Sequence, residues 1–283
     1  MKPRKQAIID LPPLQHTRDV PRAALRYFGG KWQLAPWIIG HMPLHRVYIE
    51  PFGGGASVLL RKPRSKVEVY NDADEEIVGI FRILQDRCAC RELFKRLHRT
   101  PYARREFDLA FQVSADPVIR AQRAIVRSYL SFHHGALFNP QKTTFANARH
   151  RKGSGCKARE WMGYPRVLAA VCRRLRGVVI ECGDALDVIR VQDTPDALFF
   201  IDPPYVKSTR GSVGYRHEMS DDEHVALLTQ LRAIKGRAMV CGYASALYDD
   251  LLRDWQRLEH RHYAAAGAGA RPRTEVLWIS PDK

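Results

Sequence analysis

No run of about 18 apolar residues occurs anywhere in the 283-residue chain, so no membrane-spanning helix is expected. The basic start, Met1 to Lys5, is followed by no apolar stretch of the secretory kind, and a cytoplasmic setting is the reading that follows. Cysteine is sparse and unpaired in pattern: Cys88, Cys90, Cys156, Cys172, Cys182 and Cys241 include no C-x-x-C, which argues against a zinc site and for reduced thiols. Acidic residues are the minority, 30 against 46 Lys and Arg, giving a net charge of +16. Such an excess favours a polyanionic partner, nucleic acid above all. Also missing are internal repeats, a G-x-G-x-x-G dinucleotide fingerprint and a Lys-Ser/Thr ending to any glycine loop, the last of which excludes a Walker-type phosphate cradle.

What is present alternates between strand and helix. Residues 1–22 are rich in proline and charge and read as a flexible arm. Leu25 to Lys31 carries a glycine turn into a helical stretch from Trp32 to His41. Val47 to Glu50 reads as a buried strand, Pro51 to Gly55 as a loop, Ala56 to Leu60 as a helix start, and Val67 to Tyr70 as a second strand. Ile77, Ile80, Phe81 and Leu84, and again Ala121, Ile125, Tyr129 and Phe132, recur at helical spacing. Strands are then expected at Val178–Cys182, Ala197–Ile201 and Ala238–Cys241, a helix from Asp221 to about Ile234, and two closing strands near His260–Tyr263 and Val276–Ile279. The expected fold class is α/β: a Rossmann-like sheet in residues 23–72 and 177–283, interrupted by a helical, basic insertion over 73–176. In open α/β sheets ligands gather beyond the carboxyl ends of the strands, where Gly53, Asp72, Asp184 and Asp202 all fall.

Three features carry chemistry. Gly53-Gly54-Gly55 follows the first strand, either as a plain turn or as a loop whose backbone approaches a ligand unobstructed by a Cβ. Asp72 ends the next strand and can accept hydrogen bonds from both hydroxyls of a ribose, or it can cap the helix that follows. Asp202-Pro203-Pro204-Tyr205 follows the most apolar strand. Its two prolines fix the backbone and offer no N–H groups, so the Pro203 carbonyl and the Asp202 carboxylate can act as two acceptors for one amino group. Tyr205 supplies a flat face for a planar base.

These segments resemble the Dam-like, D12 class of DNA adenine-N6 methyltransferases. The resemblance runs from about Leu25 to Ile279. It rests on Tyr27-Phe28-Gly29-Gly30-Lys31, Glu50-Pro51-Phe52-Gly53-Gly54-Gly55, Asn71-Asp72 and Asp202-Pro203-Pro204-Tyr205, in that order. Phe28 stands where the class often has alanine, and Gly54 makes the loop F-G-G-G. The resemblance implies S-adenosyl-L-methionine as cofactor, with Tyr27, Lys31, Phe52, Gly53, Gly54, Gly55, Asp72, Asp184 and Asp202 around it. It implies a Rossmann-like methyltransferase sheet and Asp202, Pro203, Pro204 and Tyr205 as the catalytic set.

Such chemistry suits those residues. An exocyclic amine is a poor nucleophile because its lone pair is delocalised into the base. Two acceptors on its hydrogens localise that pair, and a carboxylate stabilises the positive charge that develops on attack. No metal is needed, and the base must leave the duplex to be reached. The insertion would meet double-stranded DNA through its basic stretch, with Lys142, Asn147, Arg149, Arg151, Lys152 and Lys157 as candidates. Cytosine N4 or RNA adenine as acceptor, and a catalytically silent DNA-binding homologue, are the competing readings. A partner restriction enzyme and a solitary role fit these residues equally.

Overall fold

The computed structural model describes residues 20–132, 137, 144–146, 156–209, 216–264 and 271–282. After a turn comes α1 (Ala35–Gly40), then β1 (Val47–Glu50), α2 (Ser57–Arg61) and β2 (Val67–Asn71). The insertion contributes α3 (Glu75–Gln85), α4 (Arg87–Arg99), α5 (Arg104–Leu109), α6 (Pro117–Leu130), α7 (Lys157–Met162) and α8 (Tyr164–Leu175). The alternating pattern resumes with β3 (Val178–Glu181), α9 (Ala185–Gln192), β4 (Ala197–Ile201), α10 (Asp221–Ala233), β5 (Arg237–Gly242) and α11 (Ala246–Leu251). It closes on a hairpin of β6 (Gln256–Ala264) and β7 (Arg271–Ile279). Among the described residues no helix is long and apolar enough to cross a membrane.

The strands form one seven-stranded sheet in the order β3-β2-β1-β4-β5-β7-β6. The first five run parallel, and β7 is antiparallel to both its neighbours. This is the expected Rossmann-like architecture, with the order reversing between β1 and β4. All five residues of β4 are buried, as a strand covered on both faces requires. The period of two divides them. Leu198 and Phe200 join the apolar layer that includes α1, α2 and the helices of the insertion. Ala197, Phe199 and Ile201 join the layer that includes α9, α10 and α11.

Helices α3, α4, α6 and α8 share the first of those apolar layers with the sheet itself. The insertion is therefore packed on the sheet face and does not hang from it by linkers. The periodic positions Ile77, Ile80, Phe81, Leu84, Ala121, Ile125 and Tyr129 are all buried, whereas Phe132, just past the end of α6, is half exposed. Cys90 and Cys172 are joined as a disulfide between α4 and α8, contrary to the expectation of reduced thiols throughout. No spacing motif marks that pair, because its members are 82 residues apart.

Two boundaries differ from the sequence reading for clear reasons. The first helix begins at Ala35, later than Trp32, because Pro36 is tolerated only in a first turn. The hairpin strands are each nine residues long, twice the expected span. In β6 the exposed Arg257, Glu259 and Arg261 obscure the strand, whose inward residues are Leu258 and His260. A charged outer row is typical of an edge strand.

Candidate active site

The carboxyl ends of β1, β2 and β4 open into one cleft of about 360 Å³, within the size of a small-molecule site. Every residue expected around a cofactor lines it: Tyr27, Lys31, Phe52, Gly53, Gly54, Gly55, Asp72, Asp184 and Asp202. Of the expected catalytic set Asp202 and Pro204 line it, while Pro203 and Tyr205 are turned into the protein.

The glycine loop is shaped by two tyrosines. A Cβ on Gly53 would stand 2.1 Å from the Tyr70 ring, and one on Gly54 would stand 2.7 Å from the Tyr27 ring. Gly54 also has φ of +47°, a conformation that side chains disfavour. The Tyr70 hydroxyl donates to the Gly54 carbonyl at 2.8 Å. The glycines are thus needed for tight packing of the loop as well as for its approach to the cleft. Ala56 follows with φ of 52°, the sole positive φ at a non-glycine residue among the described residues. Asn71 ties the neighbouring loops together: its amide donates to the carbonyls of Pro51 and Gly183, and its oxygen accepts from the Gly183 N–H.

Asp72 does not cap α3. That cap is Asp74, whose carboxylate accepts from the Glu76 N–H. Asp72 instead accepts from the N–H groups of Gly54 at 2.7 Å and Asp74 at 2.8 Å, one on each oxygen. Each carboxylate oxygen keeps a second lone-pair site, so the group can still receive two hydroxyls. Burial raises its pKa above the usual carboxylate range. Asp184 lines the cleft and also caps α9, accepting from the N–H groups of Leu186 and Asp187.

Asp202 begins where β4 ends. Its carboxylate pairs with the Lys31 ammonium at 2.8 Å, and Lys31 is itself buried, donating further to the Gly29 carbonyl. Burial pushes Asp202 up to about 6, against the pull of Lys31. The Tyr205 ring is 8% exposed, with Lys31 over it and Tyr243 edge-on at 4.7 Å. Its hydroxyl donates to Glu275.

Several lining residues escaped sequence reasoning. Glu50 is fully enclosed at the end of β1, where its Oε1 accepts from the Tyr48 hydroxyl and the Leu59 N–H, each at 2.7 Å. Burial pushes it up to about 7. Its signal was available: an acid closing an otherwise apolar strand. Arg216, His217, Glu218 and Met219, which precede α10, form another wall. Arg216 reaches across to Asp74 at 2.8 Å, Glu76 at 3.1 Å and the Leu137 carbonyl at 2.7 Å. No local pattern announces that contact, whose partners lie 79 to 142 residues away.

Of the candidate DNA contacts, Lys142, Asn147, Arg149, Arg151 and Lys152 lie outside the described residues. Lys157 opens α7, donates to the Ser131 carbonyl at 3.2 Å and sits over the Phe132 ring.

A doubly covered parallel sheet, a glycine loop after β1, a carboxylate after β2 and an Asp-Pro-Pro-Tyr turn after β4, all on one cleft, define a Rossmann-like protein with a nucleoside-sized site. The chain belongs to the D12 class N6 adenine-specific DNA methyltransferase family, whose model matches residues 27–265. It is similar to the DNA adenine methylases of two strains of Escherichia coli, each 30% identical over 115 residues. That similarity covers 39% of this chain and 40% of each relative. Among solved structures it is similar to a SAM-dependent methyltransferase from Agrobacterium tumefaciens, with TM-score 0.38, 12% identity, and 88% of this chain and 59% of that one covered. A precorrin 8W decarboxylase from Methanobacterium thermoautotrophicum aligns with TM-score 0.32 and 11% identity over 88% of this chain and 89% of that one.

Proposed function

We propose that this protein transfers a methyl group from S-adenosyl-L-methionine to the exocyclic N6 of adenine in double-stranded DNA, acting on a base flipped from the duplex. The observation that carries the reading is the partly buried, lysine-paired Asp202 carboxylate on the same cleft as Asp72 and the glycine loop. The residues present fit such a cofactor. Asp72 retains acceptor capacity for ribose hydroxyls, and Phe52, Gly53 to Gly55 and Asp184 line the same cleft. When bound, the cofactor supplies a methyl group on an already activated sulfonium.

The chain's own groups then act on the acceptor. Asp202 and the Pro203 carbonyl accept the two amino hydrogens and localise the nitrogen lone pair. The Asp202 carboxylate stabilises positive charge as the N–C bond forms and the S–C bond breaks, and the surplus proton leaves the nitrogen for solvent. Lys31 orients Asp202 and lies over the ring of Tyr205, which backs the turn from inside the protein. Residues 23–72 and 177–283 form the catalytic part, and 73–176 the part that meets DNA, with Lys142, Asn147, Arg149, Arg151, Lys152 and Lys157 against phosphates or bases. A cytoplasmic setting fits this role.

Incubation with S-adenosyl-L-methionine and mixed-sequence DNA, followed by nucleoside mass spectrometry and methylation mapping, tests the proposal. N6-methyladenine at a defined sequence is expected. N4-methylcytosine, or methylation of RNA alone, would transfer the site to a different acceptor, and failure to bind the cofactor would leave a silent DNA-binding homologue.

A further inference from the structure

Glu275 precedes the apolar run of β7 and is 3% exposed. Alternate residues of a strand share a face, so Glu275 belongs with Leu277 and Ile279, both in the apolar layer on that side of the sheet. An aliphatic residue would continue that layer, whereas a buried acid is costly unless it is partnered. Its partners all belong to the active-site cleft or adjoin it. The Tyr205 hydroxyl donates to its Oε1, the Cys241 thiol lies 3.4 Å from the same oxygen, and the Lys31 ammonium lies at 3.7 Å. Tyr243 packs against Tyr205, and the Arg273 guanidinium stands over the Tyr243 ring. Lys31 is the same ammonium that pairs with Asp202, so two carboxylates share one cation.

We propose that Glu275 is a positioning residue for the transfer step: it anchors Tyr205 through the hydroxyl and divides the charge of Lys31 with Asp202. The proposal rests on the methyl-transfer reading above. The anchor holds the last residue of the Asp-Pro-Pro-Tyr turn, and so the turn, in one orientation. The divided ammonium leaves Asp202 with negative charge to offer the developing cation on the acceptor nitrogen. A lysine paired with Asp202 alone would cancel more of it. The same sharing acts on Asp202's titration: burial raises it, Lys31 opposes, and the charge of Glu275 adds to the rise.

The test uses the full chain and two variants. Glu275→Gln keeps an acceptor for the Tyr205 hydroxyl but removes the charge, while Glu275→Ala removes both. Carbon-13 NMR of labelled aspartate carboxyls follows Asp202 without requiring turnover, and Asp202 is expected to titrate at lower pH in Glu275→Gln than in the wild type. Single-turnover transfer to mixed-sequence DNA is expected to show the acid limb of the rate moved down in the same variant. At neutral pH Glu275→Ala should be slowed at least tenfold relative to Glu275→Gln, with cofactor affinity changed less than threefold in both. An Asp202 titration unmoved by Glu275→Gln, or equal neutral-pH rates for the two variants, overturns the proposal. A wild type that methylates nothing sinks the methyl-transfer reading instead, and the NMR titration still decides the charge sharing.

Discussion

Two buried ion clusters sit on this sheet, and they are built in opposite ratios. Within β2, one carboxylate faces three cations, two of them buried. Glu68 accepts from Lys62 at 2.8 Å and from Arg174 at 2.6 and 2.8 Å, with all three side chains at most 3% exposed. Beyond β4, two carboxylates share one cation, Lys31. Burial works against ionisation in both places. At Glu68 the contacts from Arg174 and Lys62 outweigh it and hold the carboxyl below its ordinary range. At Asp202 a single shared lysine does not, and the group rises to about 6. The first cluster therefore pins a charge that staples α8 to the sheet. The second keeps a carboxylate on the cleft with a raised pKa of about 6, the arrangement expected where chemistry occurs.

Removing the central carboxylate of each cluster should break the comparison most clearly. Asp202→Asn should reduce methyl transfer by about a thousandfold or more, some 4 kcal/mol of transition-state stabilisation. Because a raised carboxyl pKa means the folded state prefers the neutral form, the same substitution should also stabilise the fold at pH 7. The gain is on the order of 2 kcal/mol, after discounting for the 18% of the Asp202 side chain that solvent reaches. Residual turnover near wild type, or a lowered melting temperature, would contradict the assignment. Glu68→Ala should do the reverse. It removes the carboxylate that Lys62 and Arg174 share and should destabilise by about 3–5 kcal/mol in chemical denaturation, with little change in the rate of the folded fraction.

A pH series sharpens the contrast further. As pH rises through about 6, Asp202 ionises and transfer should rise with it. Stability should move oppositely. Asp202 and Glu50, at about 6 and about 7, both have folded values raised above their unfolded ones. Their contribution is complete below about pH 4 and is lost as pH climbs through the folded values. Glu68, held low, remains charged across that window and should contribute no slope there. A melting temperature that increases between pH 5 and 7.5 would reverse this sign. The smallest effect belongs to Arg216→Ala. Its guanidinium ties the wall preceding α10 to Asp74, whose N–H supports Asp72, but the side chain is 37% exposed. A loss of cofactor affinity of threefold to tenfold, about 1 kcal/mol, is expected by calorimetry.

Much of the fold was legible because its strands are apolar runs that end in special residues. Ala197 to Ile201 could be placed at the sheet centre from composition alone, and the Asp-Pro-Pro-Tyr turn marked the site beside it. Glycine and proline signals are local, so the cleft's loops could be found one by one. Edge and hairpin residues were harder. A third of β6 (Arg257, Glu259 and Arg261) is charged and exposed, and its pairing depends on β7 rather than on any preference of its own. Glu275 and Arg216 carried no motif, since each acquires meaning only from partners brought together by the sheet.

Residue type and order by themselves determined the α/β alternation, the family and the motif-bearing loops around the cleft, because these follow from periodicity and from backbone constraints within a few residues. Only the tertiary structure decided their charge states and partners. Burial and the count of neighbouring cations depend on chain segments that meet in space, and it is this meeting that holds Glu68 ionised and leaves Asp202 poised.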